Sequence, residues 1–224
     1  MKLNILIILL TFVSCIEQCP SELNLGEFKL SKKSKNIFPY QNNEKQLIFK
    51  DSLGNKVIYD IMKPRNYKEI VKWNKICKHS IEKKILIKAT KELLEIYLET
   101  NSDSFQSIKI ELSTELNLNK AQKLDEYDCM WFFRGGGGTP GIVTDIKNSN
   151  PTHISKNIEE IVINGNQYKN LLEIKSFKIN TFYYDLEKGI IAINEYRDYR
   201  KPKYWVLDSV VYNGEIIGEK KQKL

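Results

Sequence analysis

Histidine is nearly missing from this 224-residue chain: only His79 and His153 occur. Cysteine is sparse too, at positions 15, 19, 77 and 129. No C-x-x-C or H-x-x-x-H spacing exists, so neither a zinc site nor any other metal or cofactor is expected. No G-x-S-x-G elbow is present, which speaks against a histidine-based hydrolase of that type. No apolar run approaches the roughly 20 residues that a membrane-spanning helix needs. No internal repeat and no Lys/Arg block appear, although the net charge is +7. Acidic residues are interspersed among the basic ones, so the positive balance is not in itself the footprint of a nucleic-acid binder.

What is present begins at the N-terminus. Met1 and Lys2 give a short positive start, and Leu3–Val13 is apolar except for Asn4 and Thr11. Ser14 then precedes Cys15. This is the layout of a secretory signal with a small residue at its cleavage site. The stretch Phe12-Val13-Ser14-Cys15 resembles the lipobox of bacterial lipoproteins. That resemblance implies cleavage before Cys15 and acylation of Cys15, with more than one acyl chain giving a stable anchor. The segments follow: signal peptide 1–14, lipidated Cys15 and tether to residue 24, one β-rich body over 25–217, and a basic polar tail over 218–224. The expected address is the cell envelope, at the outer membrane, where nucleic acid is not a partner.

An exported compartment permits disulfides. Cys77 with Cys129 is the pairing expected, worth about 4 kcal/mol if closed. Buried free thiols are the alternative.

The body reads as short strands separated by turn residues. Gln46–Lys50 and Lys56–Ile61 flank a loop at 51–55. Asn164-Gly165, between Glu159–Ile163 and Gln167–Ile174, is a type I′ hairpin signal, because both positions need positive φ. Thr181–Leu186, Ile190–Asn194 and Tyr204–Tyr212 continue the meander, and Ile216-Ile217 follows Asn213-Gly214. Residues 81–100 fit either a helix or a long strand. The clean alternation of Ser107–Leu112 favours a hairpin over a helix. Tyr67–Lys78 reads as a short helix. The fold class expected is therefore mainly β, an antiparallel meander forming a curved sheet or incomplete barrel.

Two stretches are similar to small uncharacterised lipoproteins of Bacteroidota-type bacteria. One is Phe49–Asn55; the other runs from the Asn164-Gly165-x-x-Tyr168 turn through Tyr183-Tyr184 and Gly189-Ile190-Ile191 to the Trp205-x-Leu207 strand. The resemblance implies an all-β, membrane-anchored domain and carries no catalytic residue.

Four further features carry weaker chemistry. Arg134-Gly135-Gly136-Gly137-Gly138 lacks the Lys-Ser or Lys-Thr of a phosphate loop. It reads as a flexible loop and candidate ligand gate beside Trp131, Phe132 and Phe133. Tyr199, Arg200, Tyr204 and Trp205 interleave aromatic and basic groups, a candidate surface for a sugar or a headgroup. The Asp125, Glu126 and Asp128 cluster, like the Glu159-Glu160 pair, reads as solvated acids. No catalytic residue is assigned. The leading expectation is non-catalytic binding of an amphipathic ligand or an envelope protein; a glycan-binding protein and a hydrolase of envelope polymers are the alternatives.

Replacing Cys15 with Ser should leave the precursor unprocessed and unlabelled by radioactive palmitate. Membrane retention unchanged in that variant would contradict the anchor.

Overall fold

The register of the fold is set at its turns. The computed structural model describes residues 20–77, 80–102, 105–118, 124–134, 137–147, 155–175, 180–195, 203–213 and 215–218. In chain order these form β1 (Glu22–Phe28), helix α1 (Lys32–Asn36), β2 (Glu44–Lys50), β3 (Lys56–Ile61), β4 (Arg65–Cys77), β5 (Ser80–Glu99) and β6 (Ile108–Leu118). There follow β7 (Leu124–Arg134), β8 (Gly137–Ile146), β9 (Lys156–Ile163), β10 (Asn166–Lys175), β11 (Asn180–Asp185), β12 (Gly189–Glu195), β13 (Lys203–Tyr212) and β14 (Glu215–Gly218). The protein is mainly β, and neighbouring strands run antiparallel. Asn164 and Gly165 both take positive φ, at 50° and 82°, as the β9–β10 hairpin turn requires.

The described residues fall into two compact units. The first comprises those up to Glu27 together with Ile70–Thr90. In it β1 and the later part of β4 both pair with β5. Glu22 is ion-paired with Lys88 at 2.7 Å, and the Leu86 N–H donates to the Ser21 carbonyl at 3.0 Å.

The second unit comprises Phe28–Glu69 and the described residues from Lys91 onward. Its strands lie in the order β8-β7-β6-β5-β3-β2-β13-β12-β11-β10-β9, with β14 paired to β13. The sheet curls until β8 approaches β10. Inward-facing side chains therefore meet across it. Phe132 of β7 packs against Phe182 and Tyr184 of β11, with ring centroids 5.6 Å apart in both contacts. Alternation along each strand selects the inner set: Leu47 and Phe49, Val57 and Tyr59, Ile108, Ile110 and Leu112 are all buried. Each such side chain contributes roughly 1.5–3 kcal/mol through burial.

One segment without strands completes this core. Leu30, Phe38 and Tyr40 turn into the curled sheet and are buried. Tyr40 adopts φ 57°, and its hydroxyl accepts a hydrogen bond from the Ile190 N–H at 2.7 Å. Position 189 must be glycine for two reasons. Its φ is +84°, and a Cβ there would lie 2.4 Å from the Tyr40 hydroxyl. Tyr184 donates in turn to the Ile37 carbonyl at 3.4 Å.

Helix α1, in the same segment, is only five residues long and could not hold itself in water. Ser31 caps it by accepting from the Ser34 N–H. Two buried carboxylates then hold it. Asp128, fully buried on β7, accepts from the Ser31 N–H at 2.9 Å, the Ser34 hydroxyl at 2.8 Å and the Thr114 hydroxyl at 2.9 Å. The Lys147 ammonium lies 3.3 Å from it. Glu92 accepts from the Leu30 N–H at 3.1 Å, Lys35 at 2.7 Å and Asn66 at 3.1 Å. Burial alone would raise the Glu92 pKa, but the bonds from Lys35, Asn66 and Leu30 outweigh it and hold the carboxyl below its usual range.

Two expectations are corrected here. The helix expected over Tyr67–Lys78 is not formed by its described residues: Arg65–Cys77 is strand β4, and Lys78 lies outside the described residues. Val71 and Trp73 sit half-buried between exposed Ile70, Lys72 and Asn74, the alternation of a strand beside β5. The β-branched Ile70, Val71 and Ile76 favour that outcome. The one helix described lies at Lys32–Asn36 instead. Asp128 is not a solvated acid but the most enclosed of its cluster, and Glu126 is paired with Lys147 at 2.9 Å. For residues 81–100 the strand prevails, with β5 meeting β6 in the register Ile96↔Ile110.

Replacing Asp128 with Ala should cost about 3 kcal/mol in urea unfolding, because the Ser34 and Thr114 hydroxyls stay buried without this acceptor. A loss under about 1 kcal/mol would show that the carboxylate does not hold the helix.

Candidate functional site

Strand β7 is apolar on both faces over Trp131-Phe132-Phe133, and only Phe132 is needed by the core. Alternation sends Trp131 and Phe133 to the outer face, where both are partly exposed and their rings stack at 6.4 Å and 26°. Register with β5 and β6 places charged groups beside them. Glu95 lies opposite Glu111, and Glu111 opposite Trp131; Tyr97 lies opposite Lys109, and Lys109 opposite Phe133.

Each side chain in this patch is positioned by another. The Trp131 indole N–H donates to Glu115 at 3.0 Å, and the Ser113 hydroxyl donates to the same oxygen at 2.9 Å. Lys109 donates to Glu111 at 2.6 Å while its ammonium sits 4.1 Å over the Phe133 ring. Burial would lower the Lys109 pKa, yet the bond to Glu111 and the neighbouring negative charges raise it. From β4, Tyr67 donates to Glu95 at 3.2 Å, and Arg65 lies 3.8 Å from Glu95 and over the Tyr97 ring. The Tyr67 phenol is pushed up to about 12, first by burial and then by the Glu95 charge and hydrogen bond. The result is an aromatic surface rimmed by fixed carboxylates and cations. Directly opposed residues of adjacent antiparallel strands bring Cβ atoms to about 5 Å, so Glu95 and Glu111 form a side-by-side pair.

The residues singled out from the sequence are dispersed. Cys15, His79, His153, Gly135, Gly136, Tyr199 and Arg200 lie outside the described residues. Cys129 is a buried free thiol, so the expected Cys77–Cys129 disulfide is not made. Burial and the nearby Glu115 push its pKa up to about 12, an unreactive setting. Gly137 and Gly138 do not lie in the long flexible loop expected. β7 continues to Arg134 and β8 opens at Gly137, with Arg134↔Gly137 and Phe133↔Gly138 paired in a hairpin. Trp205 is in the core, edge-on to Phe105 at 4.7 Å, while Tyr204 stays half-buried beside Tyr183. Tyr204 and Trp205 therefore point to opposite faces of β13 and do not form one surface.

The charged partners on β5 and β6, namely Glu95, Lys109, Glu111 and Glu115, were not singled out from the sequence. The alternation of Ser107–Leu112 already places Lys109 and Glu111 on one face. What that pattern lacks is the identity of the strands on either side. A cleft of about 260 Å³ lies elsewhere, lined by Gln46, Lys56, Val57, Asp60 and Thr100 among others. No group of His, Cys, Asp and Glu suited to a metal ion occurs among the described residues. No protein-family model, curated protein or solved structure matches this chain.

Asp51 holds the β2–β3 turn and reaches β13. It accepts from the Leu53 and Asn55 N–H groups at 2.9 Å and from Lys203 at 3.0 Å, and Lys203 in turn lies 4.5 Å over the Trp205 ring. Burial would raise its pKa, but the bonds from Asn55, Lys203 and Leu53 bring it from 3.8 down to about 2. A depressed folded-state pKa means that the unfolded chain takes up the proton first. This contribution is complete above the ordinary carboxylate range and is lost as pH falls toward 2. Acid unfolding curves of Asp51→Asn should accordingly be flatter over that window than those of the parent. Superimposable curves would show that the turn does not depend on the charge.

Proposed function

We propose that this chain is an acyl-anchored protein of the cell envelope that binds a carbohydrate chain on the outer face of β5, β6 and β7. The observation that carries the reading is the stacked Trp131–Phe133 pair, set beside Glu111, Glu115 and Lys109 on a partly exposed sheet face. Flat apolar rings next to fixed donors and acceptors suit a sugar, which offers C–H faces and hydroxyl edges together. The leader supports the address, through the lipobox-like Phe12–Cys15.

Two further observations support binding at a surface. The curled sheet of the second unit is filled by Phe49, Tyr59, Phe132, Phe182 and Tyr184, each under 2% exposed or nearly so. Those rings occupy the interior that an acyl chain would have to enter. An amphipathic ligand held inside the sheet is therefore the less supported reading. A hydrolase is favoured by one feature, the opposed Glu95 and Glu111. Both are already engaged, by Tyr67 and Arg65 on one side and Lys109 on the other. A binding role fits that engagement better than proton transfer does.

On an array of bacterial envelope glycans the parent chain should give hits, and Trp131→Ala should weaken them about tenfold or more. An array without hits, or a variant that binds as the parent does, counts against the proposal. Release of shorter sugars by the parent but not by Glu111→Gln would replace binding with hydrolysis.

A further inference from the structure

Strand β4 carries a surface that the proposed glycan site does not use. Over residues 70–76 its exposure alternates without a break: Ile70, Lys72, Asn74 and Ile76 are exposed, and Val71, Trp73 and Lys75 are half-buried. The exposed face is unusually apolar for one that meets water. Ile70 is 64% exposed and Ile76 56%, with Lys72 between them and no acidic residue on that face. Two apolar side chains flanking a cation describe a surface for which water is a poor solvent and an anionic, partly apolar layer a better one. The surrounding sequence has the same charge sense: between positions 70 and 90 there are six lysines and one acidic residue, Glu82. The two glutamates of β1 reduce this excess without cancelling it, and Glu22 is already paired with Lys88.

Chain length adds the second constraint, and here the argument rests on the acylation of Cys15 proposed above. Residues 16–21 separate Cys15 from β1. Six residues span at most about 20 Å even when fully extended. β1 and β4 both pair with β5, and strands sharing a neighbour lie within about 10 Å of each other. The tether thus keeps the first unit close to the bilayer that holds the acyl chains. At that distance from an anionic surface each lysine gains attraction that salt can screen.

We infer that the Ile70–Lys72–Asn74–Ile76 face of β4 lies on the membrane, with Lys72 among anionic headgroups and the two isoleucines at the headgroup–acyl boundary. The occupant is a lipid surface rather than a protein partner. The face then gives the first unit a fixed orientation instead of free rotation about its tether.

Hydrogen exchange of the purified mature chain tests this, with vesicles of phosphatidylcholine alone and of phosphatidylcholine with phosphatidylglycerol. Exchange over 66–76 should slow in the anionic vesicles relative to the neutral ones, and the slowing should disappear at high salt. Lys72→Glu combined with Ile70→Asn and Ile76→Asn should abolish it; far-UV circular dichroism of this variant should match the parent, because all three side chains are exposed. Equal exchange in the two vesicle types, or slowing that persists in the triple variant, overturns the inference. Intact mass of the same preparation reports acylation of Cys15 separately. A chain without acyl mass defeats the anchor, while the comparison of vesicle types still decides the face.

Discussion

Two buried carboxylates, Asp128 and Glu92, hold the second unit together. Asp128 and Glu92 take hydrogen bonds from the backbone and side chains of Leu30–Lys35. That stretch has too few residues to be helical unaided. Without those acceptors, the buried N–H groups of Leu30 and Ser31 would have no partner, and Phe38 and Tyr40 would lose the path that brings them into the curled sheet. The core aromatics depend on this arrangement, since Tyr40 fills the space left free at Gly189 and its hydroxyl meets the Ile190 N–H. A polar cluster at one place thus makes an apolar packing possible at another. A buried acid is worth its desolvation only where several donors surround it, and both acids here meet that condition.

The same economy of faces explains the candidate recognition surface. The strands β5, β6 and β7 each devote one face to the core, through Ile96, Ile110 and Phe132 among others. Their other face is free to carry aromatic and charged groups, and the antiparallel register brings them into rows. Trp131 is held by Glu115, Phe133 is covered by Lys109, and Glu95 is tied to Tyr67. Side chains fixed by their neighbours lose little freedom when a ligand arrives, which is what an exposed sheet face needs in order to bind well.

Much of the fold was legible in the sequence. Asn164-Gly165 specified a turn that only positive φ can make, and the alternation of Ser107–Leu112 identified a strand correctly. Periodicity failed at Tyr67–Lys78, where apolar residues at mixed spacing fit a helix on paper. The presence of β5 beside them decided the matter, and a neighbouring strand is not visible locally. Asp128 was misread for a related reason. An acid flanked by Asp125 and Glu126 looks solvated until the distant Ser34, Thr114 and Thr144 are known to converge near it. The candidate site was half legible: the aromatics of β7 stood out, but their charged companions belong to strands that only the register identifies. Trp205 was drawn to the core by the same alternation that left Tyr204 half-buried on the other face.

The placement of Tyr40 against Gly189 has a consequence for how the chain comes into being. The partners of the N-terminal segment stand at 92, 128, 144 and 190, far along the sequence. Contacts of such long separation form late, after the costly closure of large loops. A chain threaded outward from its first residue would hold Leu30–Tyr40 exposed until most of its length had crossed. The core would then be sealed from its beginning last, once the strands near the C-terminus had emerged to receive it.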